Sequence, residues 1–430
     1  MAASSAAAAH AEVPLPLPEL SDPARWLRRL LFLGTGTSGQ VPTALCTLPP
    51  APGSGARPAP ACATCSDAMQ PGSKNRRGCC SVAVVGRGKG EAEESLILID
   101  CGPTFYGTAT LAAFAANGLR RITALLLTHA HADAILGLDS LRAWTMGGAI
   151  QQQVDVYCTQ ACYAGVAAMF PYLVDRGKAT GSGSVGALRF HIIDERPFAI
   201  EALDGGTLRD GDGKELLVTP LPVQHGFDGA QPFPALGFRI GSLSYLSDLH
   251  HAPASTAALM RGSQLLVLDA LSPYRHPSHF SLSQACSMAL SLPGAPEEQP
   301  RLALLTDLTH RLNHQHTDAG LQRFTRDLRA WRIARGPTED EAQKSPPRKN
   351  GKRHSRGEGG EPRWWAGAWD ERASEGRKDG LPCLEPAAAT LVAQQDAELN
   401  GAMAGLMAQQ RGVPDIRVAW DGLVVPFDGE

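Results

Sequence analysis

The 430-residue sequence lacks a large excess of either charge, because 40 Lys and Arg residues stand against 43 Asp and Glu residues. A protein-wide basic field of the kind that binds nucleic acid or anionic lipid is therefore absent. No apolar run approaches the roughly 20 residues that a membrane-spanning helix needs. The first 20 residues carry Glu12 and Glu19 but neither Lys nor Arg, which fits neither a secretory signal nor an Arg-rich transit peptide. We therefore expect a cytoplasmic protein without a membrane segment.

Aromatic residues make up only 6% of the chain, yet hydrophobic residues make up 43%. That is enough apolar material to bury a sizeable core, so wholesale disorder is excluded. Without a secretory signal, the ten cysteines are interpreted as reduced thiols or metal ligands rather than as a disulfide framework.

Composition divides the chain into four segments. Residues 1–25 are rich in small residues and proline, which predicts a flexible leader, and residues 26–335 form the main domain. Residues 336–382 are charged and glycine-rich, which predicts a disordered insertion. Residues 383–430 supply an Ala-rich helix and a last strand that complete the same domain.

Short apolar runs alternate with helical patterns along the main domain. Runs such as Leu96–Asp100 and Ala124–Thr128 predict strands, and the last predicted strand covers Arg417–Val425. Helical patterns fall near 104–117, 135–146, 254–261 and 281–291. Many short strands mixed with several helices predict the α/β class and a layered sandwich.

The strongest chemical signal is an apolar strand that ends at Thr128 and is followed at once by His129, His131 and Asp133. A divalent ion needs ligands that converge without backbone strain, and a loop held by a buried strand provides this. Asp133 lies near the predicted start of a helix, where the helix dipole favours an ionised carboxylate. A pair of solvated loop histidines is the competing interpretation.

Other polar residues also stand where apolar runs end. Asp100 ends one such run, and His225 and Asp248 directly follow two others. Any one of these aspartates is an ordinary turn residue. A series of them at strand ends predicts that they converge on one site.

These residues, together with Leu33–Pro42, His276–His279 and Trp420–Leu423, resemble the metallo-β-lactamase superfamily. The resemblance covers about residues 29–330 and 412–427. It is closest to the phosphoribosyl cyclic phosphodiesterases, which are related to tRNA 3′-processing endonucleases of the ribonuclease Z type. It implies an α/β fold, a four-layer αββα metallo-β-lactamase sandwich with a metal site at one edge.

The resemblance implies a first metal bound by three imidazoles and a bridging carboxylate. Its ligands are His129, His131, His225 and Asp248. Zn²⁺ at such a site lowers the pKa of a bound water from roughly 16 to about 7, which supplies hydroxide at neutral pH. Asp133 then orients that hydroxide or accepts its proton.

The resemblance also implies a second metal, but two of its four ligands differ in this sequence. Ala134 replaces one histidine, and Asp307 replaces the other when the segment Leu305–His310 is aligned with the late motif of the family. We therefore predict a second site that is weak, empty, or rebuilt with Asp133 and Asp307, whose oxygens suit a harder ion such as Mn²⁺. If the segment Leu305–His310 is aligned in a different register, His310 itself becomes a ligand in the catalytic site. Four further histidines are candidates to replace the missing ligand of the second metal: His250, His251, His314 and His316.

Three more residues receive roles. By resemblance, His279 is the candidate general acid for the leaving oxygen, and a loop histidine at a helix start is the competing interpretation. Asp100 and Asp421 are candidates for holding ligand imidazoles by hydrogen bonds.

A cysteine cluster predicts a second kind of metal site. Cys62 and Cys65 have the two-residue spacing that lets two thiolates bind one Zn²⁺. Some relatives of this branch hold a structural zinc with three early cysteines and a late histidine. The corresponding residues here are Cys46, Cys62, Cys65 and His310. A Pro-rich insertion separates Cys46 from Cys62, so Cys79 or Cys80 is the alternative third thiolate, and a reduced loop pair is the competing interpretation.

The predicted function is metal-dependent hydrolysis of a small cyclic or nucleotide-like phosphodiester. The alternatives are an RNA-processing nuclease, a thioester or ester hydrolase, and a metal-binding relative without turnover. The short basic run at 348–356 lies inside the predicted insertion, so a nucleic-acid partner has little support from the sequence. A monomer and a homodimer are both compatible with it.

Overall fold

Two seven-stranded β-sheets form the centre of the fold in the computed structural model, which describes residues 16–48, 62–107, 113–180, 185–334 and 412–427. The strands of the first sheet are β1 (Leu27–Gly34), β2 (Ser81–Gly86), β3 (Ser95–Ile99), β4 (Ala124–Leu126), β5 (Val154–Thr159), β6 (Leu188–Ile193) and β14 (Val424–Pro426). Those of the second are β7 (Phe198–Ala199), β8 (Leu217–Asp228), β9 (Gln231–Ile240), β10 (Leu243–Leu246), β11 (Leu265–Asp269), β12 (Leu302–Thr306) and β13 (Asp415–Val418).

The two sheets repeat the same pairing pattern. The order of the first is β14-β1-β2-β3-β4-β5-β6 and that of the second is β13-β12-β11-β10-β9-β8-β7. In each sheet one end is antiparallel, and the strands from β3 to β6 and from β10 to β13 run parallel. Parallel strands are buried on both faces, which explains why they read as continuous apolar runs in the sequence.

Helices cover the outer faces of both sheets. The α-helices of the first half of the chain are α1 (Ala44–Thr47), α2 (Ala63–Ala68), α3 (Ala132–Ile135), α4 (Arg142–Thr145), α5 (Gln160–Met169) and α6 (Pro171–Val174). Those of the second half are α7 (Ala254–Leu259), α8 (Leu282–Ser291) and α9 (His314–Ala334). Helices α7 and α8 confirm two of the predicted helices. The predicted helix at 135–146 is instead a series of short helices.

Three apolar clusters separate the layers. The first lies between the two sheets and joins Phe32 of β1 to Val267 of β11. The neighbouring residue Leu31 points the other way and packs with Trp144 outside the first sheet. A third cluster joins Leu268 of β11 to helices α8 and α9 outside the second sheet. Helix, sheet, sheet and helix therefore stack as the predicted αββα sandwich.

The packed structure begins before Trp26, where the predicted leader was expected to end. Leu20 is 1% exposed and lies in the cluster between the sheets. The Asp22 carboxylate accepts the backbone N–H groups of Trp26 and Leu27 at 3.1 and 2.9 Å. The boundary after residue 25 is therefore wrong, because an apolar side chain and a capping carboxylate fix the chain upstream of it.

The end of the described chain contains two strands where one was predicted over Arg417–Val425. Strand β13 extends the second sheet, and β14 extends the first. A turn that contains Gly422 at a φ of 88° separates them. This segment therefore completes both sheets of the domain. The predicted insertion at 336–382 and the Ala-rich helix lie outside the described residues.

No helix in the described ranges combines the length and the apolar character needed to cross a bilayer.

Candidate metal centre

Aspartates and histidines meet at the edge where the parallel strands of both sheets end. Asp100 follows β3, Asp248 lies two residues past β10, and Asp307 follows β12. Each has a positive φ, at 59°, 39° and 60° respectively. This left-handed backbone is uncommon for residues other than glycine and is concentrated at functional sites. The strands thus turn sharply at their ends and direct carboxylates into the space between the sheets.

The predicted first-metal histidines do converge. The donor nitrogens of His129, His131 and His225 all lie within 4.8 Å of one another. His225 Nε2 and His131 Nδ1 are 3.1 Å apart, and Asp248 Oδ1 lies 3.8 Å from His225 Nε2. The three predicted imidazoles are therefore brought together from both sheets, and Asp248 lies beside His225 in an adjoining group that also contains His279.

Hydrogen bonds fix which nitrogen each buried imidazole presents. Thr128 donates its hydroxyl proton to Asp100 Oδ2 at 2.8 Å, and His129 Nδ1 lies 2.8 Å from the same hydroxyl. With the hydroxyl proton donated to Asp100, His129 Nδ1 donates its own hydrogen to the hydroxyl, and its Nε2 keeps a free lone pair. His225 Nδ1 lies 2.8 Å from the Ser278 carbonyl oxygen, which leaves its Nε2 facing His131. Asp100 thus reaches the His129 imidazole through Thr128, and its role in orienting that ring stays a prediction.

We expect Thr128→Val to weaken metal binding by about ten- to a hundredfold, as the loss of such an outer hydrogen bond typically does. The hydroxyl that fixes the His129 tautomer is removed while the side-chain shape is kept. Competition with a chromophoric chelator measures the affinity. Thr128→Ser keeps the hydroxyl and serves as the control, and equal affinity of the Val and Ser variants would contradict the proposed role.

The electrostatics of the cluster favour neutral imidazoles. Burial, together with the neighbouring His225 and His131, lowers the pKa of His129 well below its usual value. Burial and the same kind of crowding lower the pKa of His131. His129 Nε2 and Asp248 Oδ1 are both buried and have no hydrogen-bond partner in the described part of the chain. Neutral imidazoles with free lone pairs are the form that binds a cation.

A second cluster lies beside the first and involves Asp269, a residue that sequence reasoning missed. His279 Nδ1 is 2.9 Å from Asp269 Oδ2 and 2.7 Å from Asp307 Oδ2. Burial alone would lower the pKa of His279, but these two carboxylates outweigh it and raise the pKa to about 12. Asp269 ends β11, so the same strand-end pattern that indicated Asp248 could have indicated it.

Ala134 occupies the position where the superfamily pattern has a histidine. It is 3% exposed and packs in the apolar cluster outside the first sheet. Its backbone oxygen accepts the N–H of Cys101 at 2.8 Å. The side chain at this position therefore belongs to the core and offers no ligand.

Asp133 lies in the first turn of helix α3, near these clusters but outside their tightest grouping. Its carboxylate is not among the described groups whose donor atoms lie within 4.8 Å of one another. Burial and the nearby Asp248 raise the pKa of Asp133 to about 6. Its predicted role as a metal ligand stays a prediction, and the raised pKa suits proton transfer near neutral pH.

An aromatic ring forms one wall of the histidine cluster. Phe233 stacks on His131 with ring centroids 4.7 Å apart and an angle of 13° between the planes. It follows the tip of the β8–β9 hairpin, and no sequence motif marked it. Phe233 thus restricts the imidazole to one orientation beside the opening of the site.

The predicted cysteine cluster also forms. The donor atoms of Cys46, Cys62, Cys65 and His310 lie within 4.8 Å of one another. The Sγ atoms of Cys46 and Cys62 are each 3.4 Å from His310 Nδ1. Cys62 is the N-cap of α2, which places Cys65 in the first turn beside it. The alternative thiols lie elsewhere, since Cys79 N donates to Thr104 and Cys80 Sγ is 3.2 Å from Thr306 Oγ1.

The thiols of this cluster lie so close together that thiolates there would repel one another, and a bound cation would remove that repulsion. Burial and the neighbouring Cys62 and Cys46 raise the pKa of Cys65 to about 12. Three thiols and one imidazole are a donor set that Zn²⁺ prefers.

His310 lies in the cysteine cluster and not in the catalytic cluster, so the alternative register of the late motif is wrong. Of the other candidate histidines, His250 accepts the Gly226 N–H at 2.9 Å and His314 packs against Trp420.

Asp421 holds two loops together, and in the described part of the chain its carboxylate has no hydrogen bond to an imidazole, so its predicted role gains no support there. Its carboxylate accepts the Thr35 hydroxyl and the Gly78 N–H, both at 2.7 Å. The chain reverses at this turn between the two sheets, and its carboxylate therefore reaches the nearest backbone donors. Burial raises the pKa of Asp421 to about 6, although these two hydrogen bonds lower it.

This raised pKa predicts that the unfolding free energies of the wild type and Asp421→Asn differ by an amount that depends on pH. The fold favours the neutral carboxyl, so the wild type loses this part of its stability as the pH rises through about 6. We expect the unfolding free energy of the wild type, relative to the variant, to fall by roughly 2 to 3 kcal/mol between pH of about 4 and about 7. Urea unfolding at several pH values measures it, and a pH-independent difference would contradict the assignment.

Comparison with known proteins finds one family model that matches part of the chain. Residues 96–305 match the family described as Beta-lactamase superfamily domain. The Octanoyltransferase of Porphyromonas gingivalis is 26% identical over 296 residues, which cover 67% of this chain and 48% of that protein. The chain thus spans about half the length of this curated relative.

Three solved structures are among those that are similar to this chain. A diphosphatase from the PhnP family is 26% identical, and the alignment covers 68% of this chain and 90% of the diphosphatase, with a TM-score of 0.49. Zn²⁺-bound PqqB from Methylobacterium extorquens is 16% identical over 92% and 99% of the two chains, with a TM-score of 0.46. Human tRNase Z, short form, is 16% identical over 65% and 92%, with a TM-score of 0.39.

The matched segment runs from β3 to β12 of the αββα sandwich and contains the three histidines of the cluster at its edge.

Proposed function

We propose that the protein is a metal-dependent phosphodiesterase with one catalytic ion, acting on a small cyclic or nucleotide-like phosphodiester. The observation that carries the proposal is the convergence of His129, His131 and His225 beside Asp248. Two of their atoms, His129 Nε2 and Asp248 Oδ1, are buried without a hydrogen-bond partner in the described chain. Buried polar atoms are nearly always satisfied, so each of these atoms needs a partner that the described chain does not supply, and a bound cation is such a partner.

The donor set fits Zn²⁺. Imidazole nitrogens suit zinc and other borderline transition metals, and three of them with an open position are typical of catalytic zinc. When bound, such an ion polarises a phosphoryl oxygen and lowers the pKa of a water molecule. The Asp100–Thr128 pair keeps His129 in the tautomer that this requires.

Two residues are assigned to proton transfer. Asp133 accepts a proton from the attacking water, because it lies in the first turn of α3 directly after the histidine pair. His279 donates a proton to the leaving oxygen. Its Nδ1 is bound to Asp269 and lies against Asp307, which leaves Nε2 for the substrate.

The residues around His279 favour one catalytic ion over two. His279 Nδ1 lies 2.9 Å from Asp269 Oδ2 and 2.7 Å from Asp307 Oδ2, so an imidazole already pairs with these carboxylates. Asp269 Oδ1 and Asp307 Oδ2 are nevertheless buried without a hydrogen-bond partner in the described chain. The expectation of one ion therefore depends on Ala134, which offers no ligand where the superfamily pattern has a histidine.

Metal analysis of purified protein tests this count. We expect two zinc ions per chain from metal-replete preparations, one at the histidine cluster and one at the cysteine cluster. Variants that disable either cluster should each retain one. Three ions per chain, with two lost in His129→Ala, would show a second catalytic ion and contradict the proposal.

A substrate panel tests the reaction. Bis-p-nitrophenyl phosphate, cyclic nucleotides, an octanoyl thioester and an RNA oligonucleotide are assayed with Zn²⁺ and with Mn²⁺. We expect hydrolysis of the phosphodiesters. Turnover restricted to the thioester or to RNA would overturn the proposal in favour of that activity, and no turnover with any metal would indicate a metal-binding relative without catalysis.

Acyl chemistry is the second candidate. The similarity to an octanoyltransferase is the observation that favours it, although it covers 48% of that protein. The exposed hairpin residue Phe227 and the neighbouring Phe233 add apolar surface near the opening. The octanoyl thioester in the panel distinguishes this candidate. Cytoplasmic location and oligomeric state stay predictions.

A further inference from the structure

A basic surface lies at the opposite end of the first sheet from the metal centre. The last residue of β1, Gly34, leads to Thr35, which contacts the loop after β12. The other end of β1 starts at Leu27, and the antiparallel β2 ends beside it at Gly86. The segments before β1 and after β2 are therefore neighbours, far along the strands from the histidines.

A cavity of about 270 Å³ opens between these segments. Four cationic side chains line it: Arg25, Arg28, Arg87 and Lys89. Glu91 is the one carboxylate among its lining residues, and it is occupied by the Gly88 N–H at 2.8 Å. Four cationic side chains and one carboxylate therefore line the cavity, and one of the four cations, Arg25, is paired with Asp212.

Three of these cations have no acidic partner. Arg25 pairs with Asp212, but the side chains of Arg28, Arg87 and Lys89 make no ion pair with any residue that the structure describes. The Nε atom of Arg28 is also buried and has no hydrogen-bond partner there. A buried donor without a partner costs free energy, which an oxyanion in the cavity would recover.

The backbone around the cavity is constrained to bring these residues together. Arg25 has a φ of 52°, a strained conformation for a residue with a side chain. Gly88 is packed so closely that an added Cβ would lie 2.4 Å from the Arg209 carbonyl oxygen. The loop Gly86–Gly90 and the segment at 209–213 are thus closed against each other, and they fix the walls of the cavity.

We propose that this cavity binds a small molecule that carries a phosphate or diphosphate group, at a site separate from the metal centre. Guanidinium groups bind phosphate oxygens with paired hydrogen bonds, and Arg28, Arg87 and Lys89 supply positive charge that no ion pair with a described residue neutralises. The volume accommodates a diphosphate-sized group. The site lies beyond the reach of the reacting atoms, so its occupant is a second ligand and not the substrate.

Calorimetric titration with methylenediphosphonate, a diphosphate analogue that resists hydrolysis, tests the proposal. The full chain carrying His129→Ala is used alongside the wild type, so that binding at the metal centre is separated from binding at the cavity. We expect one equivalent to bind in the His129→Ala background. Arg28→Gln and Arg87→Gln should each weaken this binding by about tenfold, in keeping with hydrogen bonds to charged groups.

Arg121→Gln is the matched control, because Arg121 makes a surface ion pair with Glu93 and does not line the cavity. It should bind like its parent. Circular dichroism and urea unfolding verify that each variant is folded. No binding at millimolar concentrations in the His129→Ala chain, or equal affinity of Arg28→Gln and Arg121→Gln, would overturn the proposal. So would binding of an RNA oligonucleotide without binding of the diphosphonate.

Discussion

Replacing His129 by Ala lowers phosphodiester hydrolysis by at least about 10³-fold, the scale expected when the Lewis-acid contribution of a metal ion is lost. His129 is the most buried of the three imidazoles, at 2% exposed, and its Nε2 has no hydrogen-bond partner in the described chain. Removing it leaves two imidazoles and opens a cavity beside them. Initial rates with bis-p-nitrophenyl phosphate and zinc analysis of the same preparation measure the effect.

His316→Ala provides the matched control, because His316 is an exposed residue at the start of α9 and belongs to neither metal cluster. We expect its activity and zinc content to equal those of the wild type. A His129→Ala variant that keeps wild-type activity would show that the reaction does not depend on this cluster. The proposed function would then be wrong, whatever the metal count.

Cys62→Ser should remove one zinc ion and lower the unfolding free energy by about 4 kcal/mol, a size reserved for losses such as a structural metal. The segment around α1 and α2 has little core of its own. Its apolar cluster contains four buried residues, and two of them, Cys62 and Cys65, are the proposed ligands. Zinc analysis and urea unfolding measure the two effects.

Cys158→Ser is the control for this experiment, since Cys158 is a buried thiol at the end of β5 outside the cluster. The substitution also places a hydroxyl in the core, and the zinc content therefore decides the comparison. We expect Cys158→Ser to keep both zinc ions. If Cys62→Ser also keeps both, the cysteine cluster holds no metal and the unfolding change reflects packing alone.

The sequence predicted those parts of the site that follow local rules. His129 and His131 stand at the end of an apolar run, and His225 and Asp248 follow two others, so the strand-end pattern located all four. The spacing of Cys62 and Cys65 likewise sufficed to indicate their shared site. In each case the position along one strand or one helical turn determines where the side chain points.

Residues whose role depends on contacts between distant elements were not predictable in this way. Asp269 has the same strand-end signal as Asp248, yet its function depends on the approach of His279 from the loop before α8. Asp421 was assigned to an imidazole because it follows the family pattern, but the turn between β13 and β14 directs it to Thr35 and Gly78. The packing of the two sheets determines which group a carboxylate at a strand end contacts.

The equivalence of the two sheets has a consequence for how the enzyme is assembled. His129 and His131 come from the amino-terminal half of the sandwich, whereas His225 and Asp248 come from the carboxy-terminal half. Neither half carries a complete coordination sphere. If the proposed ion binds there, its tight uptake requires both halves to have docked, and we then expect the nascent chain to acquire it only after the second half has folded onto the first.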